Sequence, residues 1–166
     1  MIITSNIQVQ KERSIMKQIS IREGSVSDTP TISKFQQQMA LETESKILNK
    51  WTVQQGVESV LKCPNKGFYI IAEEDSTIIG SLLVTFEWSD WRNGWFFWIQ
   101  SVFVDAAYRK RGVYRLMHSE VIRRTQASGN CCGIRLYVEK DNINAQKVYR
   151  NLGMHETDYY LYEEEF

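Results

Sequence analysis

The chain has 166 residues, 43% hydrophobic and 24% charged, a composition that supports one folded core and excludes a charge-rich disordered chain. Lys plus Arg total 20 and Asp plus Glu total 20, so the formal net charge is +0 and no global field draws the protein to nucleic acid or to an anionic membrane. Cys63, Cys131 and Cys132 show no C-x-x-C spacing and read as reduced thiols of a soluble cytoplasmic protein; the longest apolar stretch, Trp95 to Ile99, is far below the roughly 20 residues of a spanning helix.

Residues 1–15 are polar and read as a flexible N-terminal extension or the product of an upstream start codon; residues 16–166 read as a single domain. From Gln18 to Arg22, Ile19 and Ile21 alternate with polar neighbours, which predicts a first strand. Ser27 or Asp28 then caps a helix with Pro30 in its first turn, and Ile32, Phe35 and Met39 recur at helical spacing toward Lys46. A shorter helix opens near Thr52, carries Val53, Val57, Val60 and Leu61 on one face, and stops at Cys63-Pro64.

The runs GFYIIAEE and TIIGSLLVTFEW, parted by Asp75-Ser76, predict an antiparallel hairpin. After the reversal signal Asn93-Gly94, the run from Trp95 to Val104 adds a third meander strand. Strict alternation sends Phe96, Trp98 and Val102 to one face and Phe97, Ile99 and Phe103 to the other, so this strand is central and covered on both sides. VYRLMHSEVIRRTQASG is an amphipathic helix ended by Gly129, and GIRLYVE a strand reached by a crossover, hence parallel. Asp141 or Asn142 starts a last helix, INAQKVYRNL, closed by Gly153, and ETDYYLYEEEF alternates as a plausible final strand.

The chemistry concentrates between the third meander strand and the following helix, in Arg109-Lys110-Arg111-Gly112-Val113-Tyr114-Arg115. A helix start carries unpaired N–H groups and a positive dipole end, so it can hold a pyrophosphate, and Gly112 lets the backbone approach. By itself such a run is equally consistent with a solvated basic turn. G-x-x-x-x-G-K-[ST] and G-x-G-x-x-G are both absent, which argues against nucleoside triphosphate and dinucleotide sites.

The order WIQSVFV, YRKRGVY, helix, IRLYVE, then Asn142-x-x-Ala145-x-x-x-Tyr149-x-x-x-Gly153-Met154 resembles the GNAT acetyltransferase superfamily. Arg109 and Gly112 occupy the first two places of its [QR]-x-x-G-x-[GA] motif, Tyr114 departs from the third, and the second motif matches in full. The resemblance implies an α/β fold with a mixed, largely antiparallel central sheet, a splayed parallel pair and helices on both faces. It also implies acetyl-CoA as cosubstrate, with no metal. Pantetheine would lie along Val102, Phe103 and Val104; the amides from Arg111 to Arg115, with Arg109 and Lys110 nearby, would hold the diphosphate; and Asn142 and Ala145 would line the far wall.

The implied reaction is direct attack of a primary amine on the acetyl thioester. An alkylammonium with a pKa near 10.4 must lose a proton first, and a departing thiolate near 8.5 can take one from a phenol near 10. Tyr149 is assigned as that acid, although Val148, Tyr149 and Leu152 also share a packing face. Glu87 is the candidate base, with Asp90 and Glu139 as further candidates, Gln100 as an orienting hydrogen-bond partner, and Trp88 and Trp91 as walls for a cationic small-molecule or peptide amine. His118 and His155 lack partners at metal-ligand spacing and read as structural. A non-catalytic acyl-CoA sensor and an interaction module are the rival readings, and a homodimer follows from family analogy alone.

Overall fold

The computed structural model describes residues 18–164, so the expected extension at 1–15 lies outside the described residues. The chain divides into two compact units, Met1–Leu136 and Tyr137–Phe166. The first holds a five-stranded sheet in the order β1-β2-β3-β4-β5. Its strands are β1 (Ser20–Glu23), β2 (Phe68–Glu74), β3 (Thr77–Ser89), β4 (Gly94–Val104) and β5 (Cys131–Arg135). β1 to β4 pair antiparallel, and β5 joins β4 in parallel through the crossover helix α3 (Val113–Ser128). The first two helices are α1 (Thr29–Glu44) and α2 (Lys50–Lys62).

Local chemistry explains the hairpin joints. Asp75 and Ser76 have φ of 49° and 62° between the pair Glu74↔Thr77, the left-handed pair that a two-residue turn needs to match strand twist. α2 starts two residues before Thr52 because Asn49 caps it, its side chain accepting from the Thr52 amide at 3.0 Å. Asp28 precedes α1 as expected, yet its carboxylate accepts from Arg22 at 2.7 and 2.9 Å and from the Ser25 amide at 2.7 Å, tying β1 to the helix start.

Each face of the sheet has its own core. On one, Val113, Met117 and Val121 of α3 pack with Ile70, Leu82, Val84, Phe97 and Ile99; on the other, Ile32 and Val57 of α1 and α2 pack with Tyr69 and Ile71. Each such side chain, once fully buried, contributes about 1.5–3 kcal/mol.

Strict alternation along β4 fails at one residue. Leu83 pairs with Ser101 but Val84 pairs with Ile99, so Gln100 is an extra residue, a β-bulge. The bulge reverses the parity beyond it: Val102 packs with Phe97 and Ile99 on the α3 face, while Phe103 stacks on Phe35 of α1 at 4.7 Å. It also bends β4, and the parallel ladder ends just before it, at Trp98↔Arg135. β5 therefore stops at Arg135 rather than running to Glu139.

The second unit contains α4 (Ile143–Asn151). The expected final strand does not form: residues 154–164 enter no ladder, and Tyr159, Tyr160, Leu161 and Tyr162 are exposed. Weak alternation without a buried face does not fix a strand register.

Candidate functional site

The basic turn begins where β4 ends. Asp105 accepts from the Ala107 amide at 3.0 Å and starts a single 3-10 turn, Ala106–Tyr108. Lys110 then takes φ 62°, and Gly112, the residue capping α3, takes φ 78° and ψ 11°. A Cβ at Gly112 would meet nothing within 4 Å, so glycine is required here by the left-handed backbone rather than by crowding. Among the described residues the amides of Gly112, Val113 and Arg115 donate to no protein acceptor, as the first turn of a helix dictates.

The four cations of this turn divide by direction. Arg109 folds back, its Nε donating to the Val104 carbonyl at 2.8 Å and its Nη2 to Glu42 of α1 at 2.6 Å, with the guanidinium over the Phe103 ring. Arg111 donates to both carboxylate oxygens of Glu74, at 2.5 and 3.3 Å, and lies over the Tyr108 ring. These two side chains shape the turn. Lys110 and Arg115 are exposed and form no ion pair among the described residues, so their charge, unlike that of Arg109 and Arg111, is open to solvent. Tyr114 packs inward against the α3 core, 5.9 Å from the His118 ring, so the large residue at the motif's small-residue place leaves the helix start open. His118 is itself buried there, and desolvation lowers its pKa. Val102, Phe103 and Val104 occupy the part of β4 beyond its ladder with β5.

A second polar group lies on the α1 side of the sheet. Glu87 of β3 accepts from the Trp98 indole across the hairpin and, through its other oxygen, from Arg135 of β5 at 2.6 Å. The Arg135 guanidinium lies 3.7 Å from the Phe96 ring centroid, and Gln100 donates to Thr85 at 2.9 Å. Glu87 is partly exposed, and a carboxylate has about four lone-pair sites, of which these donors take two. Trp88 does not share this face: it meets Trp95 edge-on at 4.9 Å, on the alternate side of β3. Trp91 is 86% exposed in the turn, where Asp90 accepts from its amide at 2.9 Å. Among the described residues the groups beside Glu87 are Trp98, Phe96 and Arg135. Trp98 and Arg135 stand 11 and 48 residues from Glu87, which hides them from any local pattern.

In the second unit, Asn142 caps α4, its side chain accepting from the Ala145 amide at 3.1 Å. At the other end Gly153 takes φ 88° and Met154 donates to the Tyr149 carbonyl at 3.1 Å. The Asn, Ala and Gly of the second motif therefore fix the two ends of one short helix. Tyr149 lies on its half-buried side, and burial pushes its phenol pKa up, so the proton stays on at neutral pH. Glu139 and His155 are exposed. Among the described residues no helix is long and apolar enough to cross a membrane, and no cluster of His, Cys, Asp and Glu could hold a metal.

Comparison with known proteins matches residues 34–154 to the acetyltransferase (GNAT) family. The crystal structure of a possible acetyltransferase from Clostridium difficile 630 is 42% identical and superposes with a TM-score of 0.83, covering 89% of this chain and 97% of that one. An aminoglycoside N-acetyltransferase solved in complex with CoA shares the fold at 18% identity, with a TM-score of 0.75, and covers 90% of this chain and 95% of its own. A ribosomal-protein-alanine N-acetyltransferase from Brucella melitensis biovar Abortus 2308 shares it at 11% identity, with a TM-score of 0.72 and 90% and 100% coverage. No curated protein matches.

Proposed function

The chain belongs to the acetyltransferase (GNAT) family, and from that premise we propose that it moves an acetyl group from acetyl-CoA to a primary amine by direct attack of the amine on the thioester. The observation that carries this reading is the start of α3, where Gly112 in its left-handed conformation opens a helix whose Gly112, Val113 and Arg115 amides are free to bind an anion. These residues fit the diphosphate of CoA: backbone donors at the positive end of a helix dipole, flanked by the unpaired Lys110 and Arg115. A CoA complex of a neighbour with the same fold supports the same ligand here. Val102, Phe103 and Val104 would lie along the pantetheine arm, and Asn142 and Ala145, at the capped start of α4, would help to line the site.

Acetyl-CoA supplies an activated acyl group on a thiol leaving group. The chain supplies proton management. Tyr149 keeps its proton because burial raises its pKa, so it is the group suited to protonate the departing sulfur. Glu87 is the candidate base. Held by Trp98 and Arg135, it is oriented, and its remaining lone pairs can accept from an ammonium, directly or through one water. The Trp98 ring beside it suits a cationic acceptor, a class that includes the aminoglycosides named for one neighbour.

Initial rates over a matrix of acetyl-CoA and amine concentrations test direct attack. Intersecting lines are expected. Parallel lines would mean that the acetyl group first rests on the protein, and would overturn the proposal.

A further inference from the structure

We infer that Glu74, which lies outside both motifs, is a positioning residue that sets the affinity of the basic turn for the CoA diphosphate by holding Arg111 inward. The inference rests on the reading of that turn as a diphosphate site. Glu74 is the last residue of β2, and its side chain is only 4% exposed, against 40% for Arg111. A carboxylate at that depth requires a partner, and Arg111 meets it with two donors, at 2.5 and 3.3 Å. The attachment point is well chosen. Glu74 precedes the tight Asp75-Ser76 turn, so its backbone is fixed by the β2–β3 ladder, while Arg111 stands between Lys110 and Gly112, the two residues with left-handed φ.

Two consequences follow from this geometry. The guanidinium of Arg111 is neutralised from inside and lies against the Tyr108 ring, so it is not the cation that meets the phosphates. Its fixed position instead pins the turn from both sides, Arg109 being anchored to Glu42 and to the Val104 carbonyl, so that the amides beginning at Gly112 face one direction without rearrangement. Preorganised donors cost less ordering entropy on binding than donors on a loose loop.

The clamp and a direct contact predict opposite signs for Glu74→Gln. If Arg111 itself bound phosphate, removing a competing carboxylate would tighten CoA binding. The clamp predicts that CoA binds about tenfold more weakly, because the charge-assisted bidentate pair that fixes the turn is lost. Calorimetric titration with CoA, and with pantetheine, which lacks the diphosphate, reads the difference. Expected are a weakened CoA affinity, an unchanged pantetheine affinity, and a kcat at saturating acetyl-CoA within about twofold of the wild type. Arg111→Lys, which keeps the charge but not the fork, should likewise weaken CoA binding and not pantetheine binding, and carries the test if Glu74→Gln fails to fold. Unchanged or tighter CoA binding, or an equal loss for pantetheine, overturns the clamp alone. Wild-type protein that binds no CoA overturns the diphosphate site and the clamp together.

Discussion

The basic turn before α3 and the polar group around Glu87 both gather charge on an otherwise neutral protein, but they use it differently. In the turn, Glu42 and Glu74 consume the side-chain charge of Arg109 and Arg111, and what faces outward is mainly backbone: the helix-start amides, with Lys110 and Arg115 beside them. Around Glu87 the relation is inverted, since Arg135 and the Trp98 indole hold a partly exposed carboxylate. One region presents fixed dipoles suited to an anion, and the other a fixed anion suited to a cation. In both, the ion pairs act as scaffold and the ligand-directed groups are what the pairs leave over.

That contrast can be broken or sharpened by substitution. The largest effect belongs to Tyr149→Phe, which keeps the ring and removes the acid: kcat should fall about 10²- to 10⁴-fold with little change in CoA affinity, measured by thiol release and titration. Because burial raises this phenol's pKa, the wild-type rate should hold through neutral pH and decline only as pH rises through the raised value, above about 10; the variant should lack that limb. Glu87→Gln should lower kcat/KM for the amine about 10²-fold while leaving the Kd for CoA unchanged, so that the anion-facing and cation-facing regions separate in one pair of measurements.

Gly112→Ala should act on the other side of the comparison. At φ 78° a side chain costs about 1 kcal/mol or more, and the relaxed turn should bind CoA roughly five- to tenfold more weakly, with kcat at saturation retained. The smallest effect is expected away from both regions. Arg22, above all, holds the Asp28 carboxyl below the ordinary aspartate value of about 3.9. The stability it contributes is therefore fully present above that value and is lost as pH falls through the lowered folded value. Asp28→Asn should cost about 1–2 kcal/mol near neutral pH, flatten the acid limb of an unfolding series, and leave acetyl transfer unchanged.

Much of this was legible in the chain itself because the signals are local. Asp75-Ser76 and Asn93-Gly94 mark reversals through their own backbone preferences, and Gly112, Gly129 and Gly153 each stand where a helix begins or ends with positive φ. What was hidden depends on groups far apart in sequence. Alternation along β4 reads as unbroken until the β3 register is seen to step over Gln100, and that one residue exchanges the faces of Val102 and Phe103. The partners of Glu87 and Arg111 lie far away in sequence, so the four cations between Arg109 and Arg115 gave no sign of which two were turned inward. The final segment misled in the opposite way: its alternating tyrosines look like a strand, but among the described residues no neighbour pairs with them.

The most direct test of the account is amine-dependent thiol release from acetyl-CoA by the wild-type protein, run against peptides with free N-termini, polyamines, amino sugars and amino acids, with the mass of each amine followed in parallel. The account predicts that at least one amine gains an acetyl group in step with the thiol released, and that Tyr149→Phe suppresses both together. CoA binding at the Gly112 turn with neither thiol release nor an acetylated amine would contradict it, and would leave a protein that senses the cofactor without using it.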